Sequence, residues 1–216
     1  GKTNALALDL GVPLGTSFEQ MLGAAAADRT KRRTCLEVLR PGQALPERRG
    51  FLFGTGAFVR ATELAQRNHG LGLFDNAAIG VTLAGATVRT LLGGPNDPWR
   101  CGEAVKLSTS SGGLEPMFVV MASTLKRFPL GLRPYGEPRE GLKVLSAAAP
   151  PKRLLRALSV ILRGRDAPWL EAAGYRRHDV EMFALDLPGA FVLDGEIFEG
   201  GDLSVRQGPE LEFVIP

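Results

Sequence analysis

The spacing of hydrophobic and polar positions predicts a chain made mostly of short strands. Alternation with a period of two recurs between turn-forming Gly, Pro, Asn and Asp residues, which is typical of strands with one buried face. The predicted strands are 33–39, 50–53, 103–107, 117–123, 142–146, 179–186, 190–196, 203–206 and 211–215.

Helical periodicity is found in a few segments between these strands. The predicted helices are 4–10, which Asn4 caps, 16–27, 57–68, 77–92 and 151–162. In the last of these, basic residues surround a single apolar stripe. The stripe consists of Leu154, Leu155, Leu158, Ile161 and Leu162. Together the patterns predict an α+β fold that is mainly β, a two-sheet β-sandwich with inserted helices.

Candidate chemistry lies near the C-terminal end, where Asp194 and Glu196 flank a glycine in an otherwise apolar segment. If the segment is one continuous strand, both carboxylates lie on the same face. Two carboxylates this close can bind a divalent cation or accept a proton from a hydroxyl, because either event relieves their repulsion. Asp-Gly is also a frequent two-residue hairpin turn, and the local pattern alone favours the turn.

Composition narrows the class of protein. The chain has 216 residues, 44% of them hydrophobic, so it can bury one substantial core. Cys35 and Cys101 are far apart in sequence, and we expect reduced thiols and a cytoplasmic location.

The apolar stretches fall short of the roughly 18 residues that a membrane-spanning helix needs. Aromatic residues make up 7% and do not interleave with basic runs, which argues against a nucleic-acid partner.

Charge is distributed unevenly along the chain. Residues 150–180 contain seven basic and three acidic residues, whereas residues 181–216 contain one basic and eight acidic residues. The basic clusters can meet anionic lipid head groups, with about 1 kcal/mol contributed by each cation near the surface. A solvated cationic face explains them equally well.

Both ends of the chain resemble one family. Residues 191–216, with Asp194-Gly195-Glu196, resemble the end of the diacylglycerol kinase and sphingosine kinase superfamily. Residues 1–13 resemble the start of its Gly-Thr-x-Asn-x-x-Ala helix. Residues 51–58, 131–134 and 140–144 resemble intervening family segments in the same order.

This resemblance implies phosphoryl transfer from ATP to a lipid hydroxyl, with Mg²⁺ as the cation. Asp194 is then the expected base, and Glu196 binds magnesium or holds nearby groups, although the two roles are interchangeable. Thr3 and Asn4 are expected to line the nucleotide side, and helix 77–92 to form a wall for the acyl chains. A helix at 77–92 that only packs in the protein core, without contacting acyl chains, is an equally good interpretation.

The resemblance also implies how the chain is divided. Residues 1–30 are expected to be a helical remnant of an N-terminal nucleotide-binding domain, and residues 31–216 the β-sandwich C-terminal domain. The family's Gly-Gly-Asp-Gly-Thr nucleotide loop is absent, so we expect a fragment of a longer kinase. Ala5 stands where the family often has Asp. The expected partner is a lipid substrate at a membrane surface, with peripheral attachment; a homodimer is left open.

Other functions remain open. The chain is alternatively a non-catalytic lipid-binding β-sandwich, or an enzyme related to the NAD kinases, whose substrate is soluble. Gly1-Lys2-Thr3 matches only the last three residues of a phosphate-binding P-loop. His69 and His178 lack a cysteine or carboxylate at zinc-ligand spacing, and no Gly-x-Ser-x-Gly motif indicates a serine nucleophile.

Overall fold

The computed structural model describes residues 5–13, 15–68, 97–107 and 115–216, together with the single positions 85, 90 and 94. Within these residues, the helices are α1 Ala5–Leu10, α2 Phe18–Ala26, α3 Ala57–Asn68, α4 Pro98–Cys101, α5 Leu154–Ile161 and α6 Pro168–Ala172, with a 3-10 turn at Pro129–Gly131. The strands are β1 Thr30–Leu39, β2 Arg48–Gly50, β3 Leu52–Gly56, β4 Glu103–Leu107, β5 Glu115–Ser123, β6 Leu142–Ala148, β7 Tyr175–Val180, β8 Met182–Leu193 and β9 Glu196–Val214.

The nine described strands form one antiparallel sheet. Its order is β2-β1-β9-β8-β3-β5-β6-β7. Strand β4 also lies between β5 and β8, end to end with the short β3. The mainly β fold with inserted helices that the sequence predicts is therefore confirmed.

The sandwich expected from the sequence is built from this single sheet. Its largest buried cluster joins residues of β1 and β9 with residues of β5 and β6, although β8 and β3 separate these strands in the sheet. The start of β6 also lies close to β9, since a Cβ added at Gly141 would lie 3.9 Å from Gln207 Oε1. The two halves thus cover one shared core, with continuous hydrogen bonding in place of two separate sheets.

The C-terminal strands are longer than predicted. The predicted strands 203–206 and 211–215 are parts of one strand, β9, that pairs with β1 and β8. Gly208 and Pro209 interrupt the sequence pattern, but both lie opposite Cys35 where the β1–β9 register shifts. A β-bulge places two residues of β9 opposite one residue of β1 and tolerates a proline, which has no N–H to donate. The two strands therefore stay paired before and after the bulge.

The helix predictions largely agree with the structure. The predicted helices 4–10, 16–27 and 57–68 are confirmed as α1, α2 and α3, and a Ser17–Gln20 capping box starts α2. The predicted helix 77–92 lies outside the described residues, except for two single positions. None of the described helices is long and apolar enough to cross a membrane.

Helix α5 differs from its predicted amphipathic pattern. It begins at Leu154 because Arg153 has a left-handed φ of 52° and cannot continue the helix N-terminally. The buried positions are Leu154, Ala157 and Ile161, whereas Leu155 is 61% exposed. The helix therefore packs on the outer face of β6, with Leu145 and Ala147 in the same cluster, and leaves Leu155 on the surface.

The predicted domain division at residue 30 stays a prediction. Helix α1 is held against β1 by contacts across this boundary: Lys31 Nζ donates to Leu10 O at 2.7 Å, and Arg33 Nε donates to Asp9 Oδ2 at 2.6 Å. The described N-terminal helix thus lies against the sheet.

Candidate functional site

Asp194 and Gly195 form the two-residue turn between β8 and β9. Leu193 pairs with Glu196, and the turn residues have φ values of 50° and 88°. Two left-handed residues in a two-residue loop are the signature of a type I′ hairpin, which Asp-Gly favours. The prediction that Asp194 and Glu196 lie side by side on one strand face is therefore wrong, and the alternative turn is correct.

The Asp194 carboxylate binds the backbone of the neighbouring segment. Its Oδ1 accepts from Phe51 N at 3.1 Å and from Leu52 N at 2.9 Å, and its Oδ2 also lies 3.1 Å from Phe51 N. The backbone N–H of Asp194 donates to Leu52 O at 2.9 Å. These bonds fasten the β8–β9 turn to the junction of β2 and β3.

The surroundings of Asp194 favour its protonated form. Burial raises the pKa of this carboxyl above its ordinary value, and the charge of Glu196 raises it further. The hydrogen bonds from Phe51 and Leu52 oppose this change because they stabilise the carboxylate. A carboxyl group with a raised pKa is a stronger proton acceptor when ionised.

Close packing at Gly50 is necessary for this arrangement. A Cβ added there would lie 2.7 Å from both Asp194 Oδ2 and Leu193 Cδ1. Any larger residue would push the turn away from the Phe51 and Leu52 amides. In the sequence, Gly50 marks only the start of the predicted strand 50–53.

Helix α3 contacts the turn from the other side. Gln66 Nε2, in its last turn, donates to Gly195 O at 3.1 Å. The helix begins directly after β3, so the same segment that supplies the Phe51 and Leu52 amides also positions Gln66. No local sequence pattern indicates this contact, because it joins residues far apart in the chain.

Glu196 differs from Asp194 in exposure. It is the first residue of β9 and its side chain is exposed, next to the buried Gly195. Its negative charge contributes to the raised pKa of the Asp194 carboxyl. The turn therefore presents one carboxylate that is tied to the backbone and one that is open to a ligand.

The Phe51 carbonyl connects the turn to the loop that follows β5. Ser123 Oγ donates to Phe51 O at 2.7 Å, and Thr124 N donates to the same oxygen at 3.3 Å. Ser123 Oγ also accepts from Leu125 N at 3.1 Å. Phe51 thus binds Asp194 through its N–H and the 123–125 loop through its carbonyl.

Asp9 holds α1 beside this loop. Its side chain is fully buried, and it accepts from Lys126 N at 3.1 Å, from Arg127 N at 2.8 Å and from Arg33 Nε at 2.6 Å. Ala5, at the start of α1, packs in one cluster with Phe51 and Leu125. The beginning of α1 is therefore anchored beside Phe51.

Two of the predicted site residues, Thr3 and Asn4, lie outside the described residues. Asp9 was not predicted, although a lone aspartate in the apolar segment Ala-Leu-Ala-Leu-Asp-Leu is the kind of signal that indicates a buried anchor. Among the described residues there is no group of three or more His, Cys, Asp or Glu side chains arranged to bind a metal ion.

Solved structures share this fold. No family model matches the chain, and no curated protein matches it. The structure described as a putative diacylglycerol kinase from Bacillus anthracis str. Sterne has a TM-score of 0.61 and 13% identity. Two further structures from the same organism, also described as diacylglycerol kinases, have TM-scores of 0.58 and 0.54 and identities of 13% and 10%.

Each of these matches covers 100% of this chain and 64–66% of the other chain. The chain therefore has the fold of the diacylglycerol kinase C-terminal domain and spans slightly less than two thirds of the length of these structures. At 10–13% identity, the likeness establishes the fold.

Proposed function

We propose that the chain is the C-terminal part of an ATP-dependent lipid kinase, which phosphorylates a lipid hydroxyl when joined to a nucleotide-binding part. The observation that supports this is the fold likeness to diacylglycerol kinase structures over the whole chain but only 64–66% of theirs. The resemblance of the two chain ends to the same superfamily points in the same direction.

The two carboxylates of the turn suit different roles in such a reaction. Phosphoryl transfer needs an acceptor for the proton of the attacking hydroxyl and a cation that neutralises phosphate charge. Glu196 is exposed, so we assign to it the contact with the hydroxyl or with magnesium. Asp194 is already bonded to Phe51 N and Leu52 N, and it positions the turn that carries Glu196.

Magnesium fits this arrangement only in part. The ion is usually bound through one or two carboxylates together with substrate phosphates, and Glu196 is one such carboxylate. When bound, magnesium would neutralise the charge of the transferred phosphoryl group. Thr3 and Asn4 belong to the proposal as residues of the nucleotide side.

The substrate class determines where the protein works. A lipid substrate with long acyl chains stays in a membrane, so the enzyme must act at the membrane surface. We therefore propose a cytoplasmic protein that attaches peripherally to the membrane.

The proposal is tested by replacing Glu196 in the complete protein that the native gene encodes. Glu196→Gln should lower the rate of phosphoryl transfer from ATP to diacylglycerol or sphingosine in mixed micelles by at least about 100-fold, the usual contribution of a general base. Glu199→Gln is the matched control, because Glu199 is also an exposed residue of β9 near the same turn.

Three outcomes would contradict the proposal or its assignment of Glu196. Equal activity of the Glu196→Gln and Glu199→Gln variants would remove Glu196 from the reaction. Phosphorylation of NAD in place of a lipid would identify the enzyme as related to the NAD kinases, whereas lipid binding without transfer would identify a binding module.

A further inference from the structure

The exposed side of α5 and the two residues before the helix combine basic and apolar side chains. Lys152, Arg153 and Arg156 are exposed, and Leu155 between them is 61% exposed. The opposite side of the helix is buried against the sheet. Leu155 thus places an apolar side chain among three cations on one exposed surface.

Trp169 of the neighbouring helix α6 completes this surface. The guanidinium carbon of Arg156 lies 4.7 Å from the centre of the Trp169 ring, and that of Arg153 lies 5.9 Å from it. Both distances are within the range of cation–π interactions. The two arginines and the tryptophan thus form one continuous patch, which we call the basic helix surface: Lys152, Arg153, Leu155, Arg156 and Trp169.

Ion pairing distinguishes the cations of this surface from nine others in the described part of the chain. Those nine form ion pairs with carboxylates: Arg32 with Glu212, Arg33 with Asp9, Arg40 with Glu47, Arg49 and Arg206 with Glu37, Lys126 with Glu140, Arg133 with Glu137, Arg139 with Asp179 and Arg177 with Asp166. Among the described residues, no carboxylate pairs with Lys152, Arg153 or Arg156. Their charge is therefore available to an external anion.

We propose that the basic helix surface docks on an anionic lipid bilayer. The cations complement the negative surface potential of such a membrane, and each favours binding. Leu155 and Trp169 supply the apolar and amphipathic side chains that insert at the level of the head groups. This inference rests on the proposed function, because docking would bring the protein to a lipid substrate.

A bilayer explains the composition of the surface better than a polyanion does. A nucleic acid or a polysaccharide would use the cations but would gain little from an exposed leucine. Single-stranded nucleic acid stacks on aromatic rings, whereas the Trp169 ring is half-buried and is contacted by two arginines.

The test is sedimentation with lipid vesicles in the absence of ATP. The complete protein should bind vesicles of equal parts phosphatidylcholine and phosphatidylglycerol, and it should bind pure phosphatidylcholine vesicles much more weakly. The double variant Arg153→Glu, Arg156→Glu should bind the anionic vesicles about tenfold more weakly or worse. Leu155→Glu should also weaken binding.

A control variant separates a specific surface from overall charge. The double variant Arg29→Glu, Arg32→Glu changes the net charge by the same amount. Arg29 lies directly before β1 and Arg32 lies within it, and both side chains are exposed. This variant should keep most of the binding. Unchanged circular dichroism and melting temperature would show that each variant is folded. Equal loss in the two double variants, or equal binding to neutral vesicles, would overturn the proposal.

A fluorescence measurement tests the surface without changing its charge. Trp99 is the other tryptophan of these 216 residues. When Trp99 and any tryptophan in the rest of the complete protein are replaced by Phe, the emission of Trp169 should shift to shorter wavelength on addition of anionic vesicles. No shift on bound vesicles would overturn the proposal, as would tighter binding to a single-stranded oligonucleotide than to vesicles.

Failure of docking and failure of the proposed function give different results. Glu196→Gln should lose transfer but sediment with vesicles like the unchanged protein. Arg153→Glu, Arg156→Glu should lose sedimentation but retain transfer to a short-chain diacylglycerol that is dissolved as a monomer.

Discussion

Replacement of Asp194 should separate its structural role from its charge. In Asp194→Ala, the N–H groups of Phe51 and Leu52 lose their acceptor. Leaving a buried donor unpaired costs about 1–3 kcal/mol. The left-handed φ of 50° adds about 1 kcal/mol for alanine, which tolerates this region less well than aspartate or asparagine. Burial disfavours the charged form of Asp194, so removing this carboxylate recovers some free energy and offsets part of the cost.

The sum is a loss of about 3 kcal/mol in the free energy of unfolding for Asp194→Ala. Asp194→Asn should lose about 1 kcal/mol or less, because its Oδ1 can still accept from both amides. Asparagine also suits a type I′ turn. Urea denaturation measures both values, and Asp202→Ala, at an exposed position of β9, is the control.

The pH dependence gives a second check. Because the pKa of Asp194 is raised on folding, the native state binds more protons than the unfolded state above the ordinary pKa. The contribution of Asp194 to stability should therefore fall as pH rises from about 4 through the folded-state pKa, and then stay constant. Asp194→Asn should lack this fall. The reasoning is refuted if the Ala and Asn variants are equally stable.

Three further perturbations follow from the same structure. Gly50→Ala should cost about 2 kcal/mol of stability in urea denaturation, since its Cβ would lie 2.7 Å from Asp194 Oδ2; no loss would show that the turn can shift freely. Asp9→Ala should cost about 3 kcal/mol because it leaves Arg33 without its buried partner, and Arg32→Ala, which breaks an exposed pair, should cost under about 1 kcal/mol. Burial lowers the pKa of Lys143 to about 8, so the native state loses this proton before the unfolded state does. The unchanged protein should then gain stability relative to Lys143→Met as pH rises above about 8, and parallel pH profiles would contradict this.

Local sequence patterns were sufficient for most individual elements. The helix predicted at 57–68 and the strand predicted at 103–107 agree with the structure at both ends. Both have regular periodicity and clear boundaries. The predicted strand 190–196 failed because apolar residues on both sides of Asp194-Gly195 hid a turn that its own dipeptide indicated.

Long-range contacts could not be predicted in the same way. The Asp194 contact with Phe51 joins residues that are 143 positions apart, and the Asp9 contact with Arg127 joins residues 118 positions apart. No local pattern records either pairing. Leu155 shows the same limit on a smaller scale, since α5 buries Leu154, Ala157 and Ile161 and so leaves Leu155 exposed.

Phosphoryl transfer by the complete native protein tests the lipid kinase proposal most directly. The protein is incubated with γ-labelled ATP and magnesium, and with diacylglycerol, sphingosine or NAD as separate acceptors. The proposal predicts label in one of the lipids, and its loss in Glu196→Gln. Label in NAD alone, or in none of the acceptors, would contradict it.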